Sequence, residues 1–274
     1  AMAVMNEKYQ TYSQDVERFI KSDPLLKYRK NIDLERLKRS VKKENILFFS
    51  HNRGGGSERF LVDDFIKAKE LGYGVFMARP HMKSKGSVSN SLSDILPNLT
   101  ELEITNESLI VSILSEYRIN IVHIHSTVDF DQSIIDCVLK WKKRIKFFLR
   151  IYIHDYTFIC PNINLVNHED NYCGEPDEEG CNSCIKKRSQ FIGVKSISSW
   201  RKKSNLILTA ADEVIVPDID VHQRLSKYFS NDNFIVRPHE NINPERVNIL
   251  NFLTKENERI KVVVIGAISL IKGY

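Results

Sequence analysis

The sequence contains no apolar run approaching the roughly 20 residues that a bilayer-spanning helix needs. Its opening residues, AMAVMNEKYQ, also lack the apolar centre of a secretory signal. The expectation is a soluble, cytoplasmic protein, with Ala1-Met2 reading as a cloning scar. Glycine and proline are sparse, at 11 and 8 residues, and five cysteines are spread over 274 positions. Together with 42% hydrophobic and 27% charged residues, this excludes collagen-like, disordered and disulfide-stapled chains. An excess of one sign of charge is missing from most of the chain as well. Residues 1–43 hold 11 Lys/Arg against 6 Asp/Glu, which accounts for the whole net charge of +5, and residues 44–274 hold 29 of each. A body with no net charge takes most of the electrostatic support from nucleic acid as a partner.

What is present is enough chain for one large α/β domain with appendages. Residues 1–43 read as an amphipathic, basic helical arm or linker. Val16, Phe19 and Ile20 lie on one face, Leu34, Leu37 and Val41 on another, and the helix is interrupted near Asp23-Pro24. From residue 45, short apolar runs alternate with helical stretches. Strands are expected at 46–50, 74–78, 121–125, 147–153, 213–216, 234–237 and 261–265, with helices near 57–71, 107–117, 131–143, 190–210 and 219–229. That alternation predicts a Rossmann-like, doubly wound parallel sheet, with ligands at the carboxyl ends of its strands. The domain is expected to span 44–258.

The first strand ends in SHNRGGGSERF. Gly54, Gly55 and Gly56 let the backbone approach a ligand, and the N–H groups of the helix that follows attract phosphate. No Lys-Ser/Thr follows the glycines and no G-x-G-x-x-G is formed, so neither common nucleotide fingerprint is present. The plain alternative is a tight turn in which Ser57 or Glu58 stabilises the helix start. In the strand V-H-I-H, alternation puts His123 and His125 on one face, His125 nearer the carboxyl end. His125 is either a wall residue or part of a ligand site. The strand at 147–153 runs into His154-Asp155-Tyr156. These offer a titratable imidazole and a stacking ring, or a turn capped by Asp155.

Cys160, Cys173, Cys181 and Cys184 are spaced C-x12-C-x7-C-x2-C in an acidic loop. The pattern suits a structural zinc site stapling a loop without other structure; reduced thiols are the alternative, and disulfides are disfavoured in an intracellular chain. Cys137 reads as a small buried hydrophobe. Lys186, Lys187, Arg188, Lys195, Arg201, Lys202 and Lys203 follow, with Trp200 among them. They form either a solvated face or a contact with anionic lipid or acidic glycan.

Taken in order, the turn Gly55-Gly56-Ser57-Glu58-Arg59, the V-H-I-H strand, the H-D-Y…C-P element with its cysteines, the segment Ala210-Ala211-Asp212-Glu213-Val214-Ile215-Val216-Pro217 and the terminal KVVVIGAISLIKGY resemble family 4 glycosyltransferases of the GT-B fold. The resemblance covers about residues 45–274 and implies the N-terminal, acceptor-side lobe, with 259–274 opening a second, truncated lobe. It implies retaining transfer of a sugar from a nucleotide-sugar donor to a glycan or lipid-linked acceptor in surface polysaccharide synthesis, without a catalytic metal. By the same resemblance Gly55, Gly56, Ser57, Glu58 and Lys272 face the donor phosphates, His154 and Asp155 act at the transferred sugar, and His125 and Tyr156 line the acceptor. The family's arginine after the second-lobe strand is absent, Gly266-Ala267-Ile268-Ser269 standing there. Residues 1–274 alone are expected to be inactive, and the basic segments are expected to give peripheral contact with the inner membrane. The alternative is a non-catalytic scaffold whose cysteine-stapled loop and helical arm dock on another protein. A Rossmann oxidoreductase is disfavoured by the missing fingerprint.

Overall fold

The computed structural model describes residues 2–80, 86–89, 96–99, 106–130, 133–188 and 194–239. The expected strand at 261–265, the opening of a second lobe at 259–274 and Lys272 lie outside these residues. Three helices come first: α1 (Met2–Lys8), α2 (Tyr12–Ser22) and α3 (Leu26–Lys38). The expected interruption is real. Asp23 closes α2 in the left-handed region, and its N–H reaches the Phe19 carbonyl. Next come β1 (Asn45–Phe49), α4 (Gly56–Glu70), β2 (Gly74–Pro80), β3 (Gly86–Ser89), a 3-10 turn (Pro97–Leu99), α5 (Glu107–Glu116), β4 (Ile119–Ile124) and α6 (Ile134–Ile145). The chain continues through β5 (Phe148–Tyr152), α7 (Glu178–Lys186), α8 (Ile197–Ala210), β6 (Glu213–Val216), α9 (Ile219–Ser226) and β7 (Phe234–Val236).

The strand order is β3-β2-β1-β4-β5-β6-β7, and all strands but β3 form a parallel sheet. β1 pairs with β2, β5 with β6 and β6 with β7 in parallel, while β3 is antiparallel to β2. The α/β, Rossmann-like expectation holds at this level. Three details depart from it. β3, with the sequence GSVS, has no apolar run to announce it. Of the helix expected over 190–210, residues 190–193 lie outside the described residues; α8 begins at Ile197, where Ser196 caps it: its side chain accepts the Ser199 N–H and the Ser199 hydroxyl accepts the Ser196 N–H. The cysteine loop, expected to be structureless, contains α7, started by Asp177 accepting the Gly180 N–H at 2.9 Å.

The chain divides into two compact units, 1–122 with 129–147, and 123–128 with 148 onward. In the first, all five residues of β1 are buried, as a strand covered on both faces requires. Ile46 and Phe48 pack with Val75, Met77 and the α4 residues Leu61, Phe65 and Ala68. Leu47, Phe49, Phe76 and Ala78 face the α5 and α6 residues Ile113, Leu114 and Trp141 across a cavity of about 20 Å³. A void of that size holds about one water molecule. Gly74 is required where β2 starts, since a Cβ there would stand 2.0 Å from Asn45 Oδ1 and 2.8 Å from the Ser40 carbonyl.

The α3 helix is tied to this unit. Buried Asp33 accepts the Asn98 side-chain amide at 2.8 Å and its backbone N–H at 3.1 Å. Leu37 is fully buried, and the Tyr117 hydroxyl donates to the Leu34 carbonyl at 3.0 Å. By contrast α2 has no buried residue. In the second unit Asp212, within the A-D-x-V-I segment, clamps the start of β5: its carboxylate accepts the Leu149 N–H at 2.6 Å and its own N–H returns to the Leu149 carbonyl at 2.8 Å.

Candidate functional site

In the first unit β1 delivers Ser50 and His51 to the end of the buried strand, and the chain turns through the glycines into α4. Gly54 and Gly55 have φ of +71° and +93°. At Gly55 ψ is −164°, a combination that only glycine adopts without strain. All three glycines are exposed, and a Cβ on any of them would meet nothing within 4 Å. They are therefore kept by backbone conformation and by the open approach they give, not by crowding from the protein.

Glu58 stands in the first turn of α4, where a carboxylate suits the helix start, but neither it nor Ser57 is the N-cap. Among the described residues no side chain caps α4 at Gly55. The Ser57 hydroxyl instead meets His51 Nε2 at 3.2 Å, while His51 Nδ1 accepts the Arg53 N–H at 3.2 Å. Arg79, at the end of β2, grips both Glu58 carboxylate oxygens, at 3.0 and 2.5 Å, and also donates to the His51 carbonyl. Arg53 makes a second fork to Asp129, at 2.8 and 2.7 Å. The hydrogen bond from Arg53 holds the Asp129 carboxyl below the usual carboxylate range, against a smaller opposing effect of burial. The result is a turn braced by two guanidinium–carboxylate forks ahead of a helix start that no side chain caps at Gly55, a geometry that suits an anion. Glu58 is neutralised by Arg79 and so does not repel a negative ligand at full strength.

In the second unit the imidazoles gather. His125 follows β4 directly and is 2% exposed, and half-buried His154 follows β5 by two residues. Their rings stack with centroids 5.4 Å apart, and His125 Nδ1 lies 3.2 Å from His154 Nε2. The Tyr152 ring stacks on His125 at 4.4 Å, and His123 meets Tyr152 edge-on at 5.6 Å. His239 leans on His154 at 4.6 Å. Burial holds His239 below the ordinary histidine range, while the Asp218 carboxylate pulls the other way. Arg150 pairs with Glu213 at 2.7 Å and touches His123 Nε2 at 3.4 Å.

The Asp155 carboxylate accepts the Thr157 N–H at 2.8 Å, the turn-capping contact expected of it. The Tyr156 ring lies against the Arg224 guanidinium at 5.6 Å. All five cysteines are free thiols, so the disulfide alternative is not realised. Three of the seven basic residues beyond them, Lys187, Arg188 and Arg201, have internal partners. Arg188 donates to the Val166 and Asn167 carbonyls, Lys187 meets His168 at 3.2 Å, and Arg201 donates to the Ile159 carbonyl at 3.1 Å. Trp200 donates to the Thr157 carbonyl at 2.7 Å.

The structure thus brings His125 and His154 together in one unit and Gly55, Gly56, Ser57 and Glu58 together in the other. It adds His51, Arg79, Tyr152 and His239, which the sequence reading had not singled out. Each of these stands at or just beyond the carboxyl end of a strand, the signal by which it could have been found. No protein-family model matches the chain, and no curated protein matches it significantly. Among the described residues no helix is long and apolar enough to cross a membrane.

Proposed function

We propose that the chain is the acceptor-side lobe of a retaining glycosyltransferase that moves a sugar from a nucleotide-sugar donor to a glycan or lipid-linked acceptor at the cytoplasmic face of a membrane. The observation that carries this reading is the uncapped start of α4 behind Gly55 and Gly56, at the end of the first strand of a doubly wound sheet. In the reaction the bond between the anomeric carbon and the donor diphosphate breaks, and a bond to an acceptor oxygen forms as that oxygen loses its proton. Negative charge grows on the diphosphate as it leaves. Backbone N–H groups fixed in advance at Gly56 and beyond stabilise that charge without reorganising. The His125–His154 pair fixes which nitrogen of each ring faces the other, so His154 presents a defined edge and positions the sugar. It is not assigned the role of a nucleophile.

The test uses the complete product of the gene. Gly56 lies outside the positive-φ region and has room for a side chain, so Gly56→Val keeps the fold while filling the approach to the N–H groups. Gly56→Val and His154→Ala are each expected to lower sugar transfer at least about 100-fold with unchanged circular dichroism. Unchanged transfer contradicts the reading. A scaffold is the second reading, favoured by the exposed Phe19 and Ile20 on α2; it predicts no donor turnover by the wild type.

A further inference from the structure

The cysteine loop of the second unit is built as a ligand set for which the transferase reading has no use. Cys160-Pro161-Asn162 and Cys173-Gly174-Glu175 form two like turns, in each of which the N–H two residues on donates to the sulfur at 3.4 Å. Such N–H groups solvate a thiolate. Gly174, at φ +66°, permits the second reversal. Cys181 and Cys184 stand three apart on α7, on one helix face.

The loop is held to its surroundings from several sides. Glu175 takes Arg224 and the Tyr172 and Tyr228 hydroxyls, Asn182 accepts the Ile197 N–H at 2.8 Å, and Arg201 reaches Cys181 Sγ at 3.7 Å. No three of the four sulfurs lie within 4.8 Å of one another, so Zn–S bonds of about 2.3 Å would require the loop to contract. Cys160 also ends the turn that carries His154 to Tyr156, its N–H and that of Ile159 both bonding the Tyr156 carbonyl at 2.9 Å.

We propose that Cys160, Cys173, Cys181 and Cys184 bind one Zn²⁺ and that this ion clamps the far end of the His154 turn. Four thiols each give up a proton to solvent and form four S–Zn bonds, with no change of oxidation state. Arg201 and Arg224 offset the net negative charge of the four-thiolate complex. Four sulfurs leave no open coordination position, so the ion is structural. The site stands independently of the transferase reading.

The test begins with the unaltered chain, purified without added zinc. Elemental analysis is expected to find about one equivalent of zinc. A strong chelator should release it while making four further thiols reactive and exposing 160–188 to limited proteolysis. Cys137→Ser should keep the metal, and Cys160→Ser and Cys184→Ser should lose it. The imidazole NMR signals of His154 should shift on chelation, and unshifted signals overturn the clamp. Less than about one-tenth equivalent of zinc with four titratable thiols, or iron in place of zinc, overturns the assignment.

Discussion

His125 Nδ1 and His154 Nε2 lie 3.2 Å apart although 29 positions separate them in the chain. Each follows the end of its own strand, β4 and β5, and those strands are neighbours in the sheet. The contact between them is therefore a product of parallel strand order. Two neutral imidazoles at this distance share one proton, so one is donor and the other acceptor.

This makes His125 a positioning residue for His154. His125→Ala is expected to change the tautomer of His154, read from its ¹⁵N ring shifts, and to lower transfer about 10- to 100-fold, mostly in kcat. Unchanged His154 ring shifts in His125→Ala would mean that the contact does no positioning.

At Gly55 the backbone itself is under test. With φ of +93°, Gly55→Ala forces an L residue into a region it rarely adopts, at a cost of about 1–3 kcal/mol. Gly56→Ala carries no such penalty. Thermal unfolding of the two variants side by side checks this, and equal midpoints contradict the turn geometry.

The Arg79–Glu58 fork has side chains only 14% and 26% exposed, so it should behave as a partly buried pair. Arg79→Ala leaves Glu58 and the His51 carbonyl without a shared donor and is expected to cost about 1.5–3 kcal/mol. A double-mutant cycle with Glu58→Ala should show positive coupling. Additive losses would mean that the two side chains act separately.

Asp33 gives a pH signature to the attachment of α3. Burial raises its pKa, but the hydrogen bonds from Asn98 and Arg36 outweigh that effect and leave it lowered. A depressed carboxylate contributes stability that is present above its unfolded value, about 3.9, and is lost as pH falls through the folded value. Asp33→Asn should therefore be less stable than wild type near pH 7, with the gap narrowing below about pH 4. A gap that is constant with pH contradicts the charged role.

The centre of the sheet was legible in the sequence because β1 and nearly all of β2 are buried and appear as continuous apolar runs. ILFF at 46–49 and FLRIY at Phe148–Tyr152 stand out against helices of longer period. β3 was not legible: GSVS pairs on the edge through backbone bonds to β2, and backbone bonds leave no mark on composition. The start of α8 was misplaced because the basic residues before it carry a helical pattern, while the stop signal was a single residue, Ser196. The glycine turn and the histidines were found by their position at strand ends. Arg79 was not, since its importance comes from reaching across to Glu58, 21 positions away. His239 was missed for the same reason, because its neighbour His154 belongs to another strand end.

The most direct measurement is donor turnover by the complete gene product, incubated with a panel of nucleoside-diphosphate sugars and a membrane glycolipid extract, with released nucleoside diphosphate and glycosylated product followed together. The account predicts that one donor is consumed with matching product, and that His154→Ala and Gly56→Val remove both signals. Absence of turnover with every donor, or turnover untouched by both substitutions, would contradict it.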